Sequence, residues 1–221
     1  MFLLLFMRVK KISFVVASII KSLMVLILIL VNSKAEENNI KYYSKDLGTL
    51  SLMYHRFDEN KYPSTNVQMS VFKKQINIIK DKNYEFENPK NFDLKFSQPK
   101  SKKKILITID DAFSSFYENA WPFLKKNKIP FILFVSTEPV GKKGYMTWKQ
   151  IKEIEKESFA FIGNHSHSHE YLVDFKFNDF KKDIDLSIKL FNGKLGYNPI
   201  FFSYPFGEYS LEQIKYIKKK I

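Results

Sequence analysis

Histidine is scarce in this chain, yet three of the four histidines fall within five residues, at His165, His167 and His169. A spacing of i, i+4 places His165 and His169 on one side of a helical turn, where two imidazoles can grip one ion, and leaves His167 facing away. A second cluster, Asp110-Asp111, directly follows the apolar run Ile105–Ile109. Neither cluster is decisive alone. An Asp-Asp pair also suits a helix N-terminus, where one acid caps and the other meets the dipole. Together they supply imidazole nitrogen and carboxylate oxygen, the donor set that zinc accepts while keeping a position open for water. Zinc is the first expectation; nickel, cobalt and iron suit similar donors. Two further places carry polar groups of interest. His55 follows the run Leu50–Tyr54, and Pro205-Phe206-Gly207 follows Ile200–Tyr204. Pro-x-Gly marks any turn, and its functional reading is a backbone N–H aimed at a reacting carbonyl.

The elements that must position these residues alternate in type. Leu50–Tyr54, Tyr84–Phe86, Ile105–Ile109, Phe131–Val135, Phe159–Ile162 and Ile200–Tyr204 read as six strands. Ile105–Ile109, with Thr108 its one polar residue, and Phe131–Val135 are apolar runs, the mark of strands covered on both faces. Between them lie helical patterns. Ser70 is placed to cap a helix over Val71–Lys82 that buries Phe72, Ile76 and Ile79. Ser115-Phe116-Tyr117-Glu118 has capping-box spacing and opens a helix to Asn127. Thr147–Gln150 and Ser210–Gln213 repeat that spacing. Asn178 is placed to cap a helix carrying Phe180, Ile184, Ile188 and Phe191, with Gly193 as its stop. Phe92–Lys104 reads as a polar loop. Strand-helix alternation predicts a mainly parallel α/β sheet. In such folds chemistry gathers at the C-terminal ends of the strands, where all four clusters fall.

The 221 residues are 45% hydrophobic and 27% charged, enough apolar material for a folded core. Net charge is +13, falling to +8 when the five basic residues of 1–35 are set aside. The lysines are mostly scattered and no nucleic-acid motif accompanies them, so no nucleic-acid partner is expected. With no cysteine, disulfides and thiolate metal sites are excluded. Arg8, Lys10 and Lys11 precede an apolar stretch over residues 12–31, interrupted by Lys21, and Ser33-Lys34-Ala35 offers small residues at a cleavage position. That order is a secretory signal's; the same stretch is long enough for a membrane anchor. The expected organisation is a signal or anchor over 1–35, a polar linker over 36–48 and one domain over 49–221. Both readings of 1–35 place that domain outside the cytoplasm: periplasmic, extracellular or anchored facing outward.

At these residues the sequence resembles the polysaccharide deacetylases of the NodB-homology carbohydrate esterase family. Thr108-Ile109-Asp110-Asp111-Ala112 is similar to that family's Thr-Phe-Asp-Asp-Gly motif. His165-Ser166-His167-Ser168-His169 is similar to its paired-histidine motif, and Phe202–Gly207 to its third motif without the usual arginine. Met53-Tyr54-His55-Arg56 resembles the first strand of exported deacetylases acting on poly-N-acetylglucosamine. The resemblance implies an α/β fold of the distorted, incomplete (β/α) barrel type. It implies Asp110 as general base, Asp111, His165 and His169 as metal ligands, and the Phe206 N–H as oxyanion donor. The implied activity is metal-dependent removal of N-acetyl groups from an N-acetylglucosamine-containing polysaccharide. Three departures stand out: Ala112 replaces Gly, Ser203 stands where many members have Arg, and the chain ends 14 residues after Gly207. Relatives usually continue into strands carrying a histidine acid, so the barrel is expected to be shortened at its C-terminus and His55 is the rim candidate for that acid. The alternative expectation is a catalytically impaired protein of the same fold that binds metal and carbohydrate.

Overall fold

The computed structural model describes residues 49–91 and 103–221. The expected signal or anchor over 1–35, including its apolar stretch 12–31, the linker 36–48 and most of the Phe92–Lys104 loop lie outside the described residues.

Parallel strands form the centre. β1 (Thr49–Tyr54) pairs with β5 (Lys104–Ile109) along its whole length, from Thr49 opposite Lys104 to Tyr54 opposite Ile109. The other edge of β5 is shared. β4 (Glu85–Phe86) takes its first two residues and β6 (Phe131–Val135) takes Ile107–Ile109. β6 pairs in turn with β7 (Ala160–Asn164). Two short strands, β2 (Arg56–Phe57) and β3 (Asn66–Val67), form a separate parallel ribbon that the hydrophobic pattern does not announce.

Strand alternation sorts the side chains into two layers. Ile105, Ile107 and Ile109 of β5, Phe131, Leu133 and Val135 of β6, and Ile162 of β7 enter one large core. Helices cover that face: α1 (Met69–Asp81), α2 (Trp121–Asn127), α3 (Trp148–Glu155) and the last turns of α4 (Phe177–Leu195). They contribute Phe72, Ile76, Trp121, Leu124, Ile151, Ile154 and Phe191. Thr108, Ile132 and Phe134 point to the other face and are buried too. β6 is thus covered on both sides, as its unbroken apolar run predicts. α5 (Leu211–Lys220) brings Ile217 against Phe180 and Ile184 of α4 in a second, smaller cluster. Among the described residues the ladder stays open, which agrees with an incomplete barrel.

Several local expectations are corrected. The predicted strand Ile200–Tyr204 is reduced to one parallel bridge, Phe202 to Asn164. Pro199 and Pro205 bound that segment and cannot donate to a ladder. The predicted helix from Ser115 begins as a π-helical segment over Phe116–Ala120 and becomes α-helical only at Trp121. Pro122 is the cause: it lacks an N–H, and its ring would clash with the carbonyl four residues back. Ser115 makes no cap; its Oγ accepts the Phe57 N–H at 3.3 Å. α1 starts at Met69, so Ser70 lies inside it, and the Met69 N–H donates to Asp58 Oδ1 at 2.8 Å. α4 starts at Phe177 ahead of Asn178 and ends at Gly196, φ 85°, rather than at Gly193. The capping boxes at Thr147 and Ser210 form in full.

Candidate metal centre

The site is assembled by strand register. Tyr54 and Ile109 are the last paired residues of β1 and β5, and the Asp110 N–H donates to Tyr54 O at 2.8 Å. His55 and Asp110 therefore leave adjacent strands at the same level. Across β6, Val135 pairs with Asn164, and the His165 N–H continues the ladder onto Val135 O at 3.0 Å. The C-terminal ends of β1, β5 and β7 bring these residues to one rim.

At that rim Asp111 Oδ1 lies 2.8 Å from His169 Nε2 and 3.4 Å from His165 Nε2. Asp110 Oδ2 lies 3.9 Å from His165 Nε2. One donor atom from each of Asp111, His165 and His169 can be chosen so that all three lie within 4.8 Å of one another. Asp111 Oδ1 is buried and, despite its nearness to two imidazoles, receives no hydrogen bond of good geometry. His165 Nδ1 sits 2.8 Å from the Ser203 carbonyl. A carbonyl only accepts, so Nδ1 carries the hydrogen and the neutral ring turns the Nε2 lone pair toward Asp111. An orphaned carboxylate oxygen facing an imidazole lone pair fits a divalent cation, with one carboxylate and two histidines as its ligands.

Electrostatics separate the two acids. Burial raises the Asp110 carboxyl above the usual carboxylate range; the His165 and His55 charges oppose that shift and the Asp111 charge adds to it. Burial also acts to raise Asp111, but the nearness of His165 and His169 outweighs it, and it falls far below that range. Burial on its own would lower His165; its contacts with Asp111, Asp110 and Ser203 O outweigh burial and raise it. One acid is thus held ionised among the histidines while burial makes its neighbour the more basic of the two.

The helical-turn geometry expected for His165 and His169 is not what brings them together. The segment is a bend in which Ser166 (φ 70°) and His169 (φ 58°) are left-handed, and the two rings meet edge-on at 5.0 Å. Asp111 (φ 72°), Ala112 (φ 56°) and Phe206 (φ 59°) are left-handed as well. Such conformations cost non-glycine residues about 1 kcal/mol or more each, and they gather at this rim. His167 does face away: its Nδ1 is 2.8 Å from Thr137 Oγ1. Ser203, standing where an arginine was expected, puts its Oγ at the long limit of hydrogen bonding, 3.5 Å from Asp110 Oδ2. The Phe206 ring leans on His169 at 5.2 Å and on Tyr171 at 5.5 Å.

Sequence reasoning missed the residues behind the rim. Asp183 and Ser187 of α4 are buried and bonded into the histidine segment, Asp183 directly and Ser187 through Asn164. A signal was present. At i+3 and i+7 from Phe180 these two polar residues fall within the apolar stripe of α4, where a polar side chain needs a buried partner.

An open α/β barrel with two histidines and a carboxylate converging at its strand ends defines a class of metal-site proteins. Comparison with known proteins narrows it: the chain belongs to the polysaccharide deacetylase family, whose model matches residues 97–220. It is 28% identical over 208 residues to the poly-β-1,6-N-acetyl-D-glucosamine N-deacetylase of Staphylococcus aureus (strain MSSA476), covering 81% of this chain and 71% of that one. It is 29% identical over 170 residues to YxkH of Bacillus subtilis (strain 168), named only as a candidate polysaccharide deacetylase, covering 76% of this chain. The chain spans 60% of the length of that relative. Among solved structures, IcaB from Ammonifex degensii superposes with a TM-score of 0.72 at 26% identity, covering 78% of this chain and 80% of that one.

Proposed function

We propose that this protein is an exported, metal-dependent hydrolase that removes N-acetyl groups from an N-acetylglucosamine-containing polysaccharide. The observation that carries the reading is the meeting of Asp111, His165 and His169 around one buried carboxylate oxygen, with Asp110 beside them. The name of the S. aureus relative favours the β-1,6-linked polymer as substrate.

Asp111, His165 and His169 would hold the metal, zinc first, with nickel, cobalt or iron as alternatives. A bound ion would supply Lewis-acid polarisation of the acetamido carbonyl and a water of lowered pKa. Asp110 is the general base that takes the proton of the attacking water; its raised pKa suits a group that must accept one. Attack forms a carbon–oxygen bond on the acetyl carbon, and the developing oxyanion meets the Phe206 N–H. The carbon–nitrogen bond then breaks, and His55, level with Asp110 on the neighbouring strand, hands a proton to the departing amine. Products are acetate and a free amino sugar. An N-terminal signal or anchor over 1–35, with membrane attachment through 12–31 in the second case, would place this chemistry outside the cytoplasm.

The test is to purify the full chain, measure bound metal, and follow acetate release from a β-1,6-linked N-acetylglucosamine oligomer beside a β-1,4-linked one. Asp110→Asn is expected to keep the metal and lose about a hundredfold or more in kcat. His165→Ala is expected to lose both metal and activity. Full activity in either variant overturns the reading. Metal retention and glycan binding without any acetate release would select the alternative, a catalytically impaired metal- and carbohydrate-binding protein.

A further inference from the structure

The backbone of the histidine segment has an unusual set of partners. Four successive N–H groups donate to side-chain oxygens. Ser166 N–H donates to Asn164 Oδ1 at 2.8 Å, His167 N–H to Asp183 Oδ1 at 2.8 Å, Ser168 N–H to Asp183 Oδ2 at 2.9 Å, and His169 N–H to Ser166 Oγ at 3.1 Å. Two of the four, those of His167 and Ser168, thus close on one carboxylate, an anion nest whose anion comes from a helix of the same chain. Asp183 is 8% exposed, and Asn164, Ser166 and Ser187 are fully buried. Asn164 Nδ2 donates to Ser187 Oγ at 2.8 Å, and Ser187 Oγ donates to Ile184 O at 2.8 Å. α4 therefore grips the turn at two successive helical levels.

This arrangement accounts for a problem the ligands pose. His165 and His169 reach Asp111 only because Ser166 and His169 are left-handed, a conformation their side chains disfavour. Hydrogen bonds to a carboxylate are stronger than those between neutral groups and act to offset that cost. The bonds are made inside the protein and need no cation.

We propose that Asp183 is a positioning residue that templates the His165–His169 turn, so that the metal ligands are preorganised before any ion arrives. The proposal rests on the metal-site reading above. Asp183 touches neither ligand side chain; it acts through the N–H groups of His167 and Ser168. Removing its carboxylate releases two buried N–H groups and frees the turn to relax out of the left-handed region, which separates the two Nε2 atoms.

The experiment compares the full-length wild type with Asp183→Asn, Asp183→Ala and Asp183→Glu, and with Asp179→Asn as control. Asp179 is on the same helix but is half-exposed and paired with Lys182 at 2.9 Å. Three readouts are taken: zinc affinity by chelator competition, the visible spectrum of the cobalt-loaded protein, and amide hydrogen exchange of residues 166–169 in metal-free protein. In the metal-free wild type those amides are expected to be protected. In Asp183→Ala they exchange at least tenfold faster while the amides of β5 and β6 are unchanged. Zinc affinity falls about tenfold to a hundredfold in Asp183→Asn and Asp183→Ala, the cobalt spectrum changes, Asp183→Glu recovers part of the loss, and Asp179→Asn matches wild type.

Zinc affinity within twofold of wild type in Asp183→Asn overturns the proposal. So does unprotected exchange of 166–169 in the metal-free wild type, which would mean that the ion and not α4 shapes the turn. That second measurement decides the matter even where a variant fails to fold. A wild type that binds neither zinc nor cobalt defeats the metal reading instead, and the exchange comparison still judges the clamp.

Discussion

The Asp110 N–H donates to Tyr54 O at 2.8 Å, extending the β1–β5 ladder one step past its last residue pair. This single bond fixes where His55 leaves β1 relative to the Asp110 carboxylate, and the two groups are close enough for the His55 charge to act on the Asp110 pKa. Base and acid of the proposed reaction thus belong to neighbouring strands of one rigid sheet.

If His55 protonates the leaving amine, His55→Gln should lower kcat by about 10²–10⁴-fold while bound zinc per chain stays at the wild-type level. Acetate release and metal content measured on the same samples check this. A kcat within threefold of wild type would assign His55 to packing alone.

Metal removal should show a pH signature. His165 is raised above its ordinary value by Asp111 and Asp110 despite its burial. In metal-free protein that ion pair contributes stability that is complete below the unfolded value near pH 6.5 and is lost as pH rises through the higher folded value. The metal needs the neutral ring, so its contribution runs the other way. Zinc at about a hundredfold over Kd should stabilise by about 2.7 kcal/mol, roughly 5–10 °C in Tm, near pH 8. The gain should shrink markedly at pH 5.5. An equal zinc-induced shift in Tm at both pH values would contradict the ligand assignment.

Gly163 carries a packing prediction. A Cβ there would meet Phe134 Cδ1 at 2.4 Å, Phe134 Cε1 at 2.5 Å and Ile132 Cγ2 at 3.1 Å. The Phe134 ring is buried and its centroid is 6.4 Å from that of His165, so it cannot move without pressing on the site or opening the β6–β7 ladder. Gly163→Ala should therefore cost about 1–3 kcal/mol in urea denaturation and weaken zinc binding. Adding Phe134→Leu should recover part of both. Wild-type stability in Gly163→Ala would show that the strand pair yields freely.

These cases mark what the sequence could and could not disclose. β6 was legible because a strand covered on both faces leaves an unbroken apolar run, β5 because its β-branched apolar residues are interrupted only by Thr108, and the Thr147 and Ser210 boxes because capping is local. The Asp111–His165–His169 trio was legible from residue type and strand-end placement. Its geometry was not: the i, i+4 spacing suggested a helical turn, whereas the left-handed bend depends on Asp183, a partner 16 residues from His167 whose place in the apolar stripe of α4 signals a buried partner but not which one. Ser115 failed as a cap for a similar reason. A proline downstream altered the helix, and the hydroxyl went to Phe57 N in another part of the fold.

Phe206 separates a side-chain role from a backbone one. Its ring is 62% exposed and leans on His169, while its φ of 59° is one that glycine adopts without cost. Phe206→Gly deletes the ring and keeps both the N–H and the turn. If the residue works through its N–H, kcat should stay within about tenfold of wild type, far from the roughly 10²–10³-fold loss seen when an oxyanion donor is removed. The lost ring should show in KM and in faster exchange of the His169 amide. A hundredfold fall in kcat with zinc still bound would move the contribution of Phe206 from its backbone to its ring.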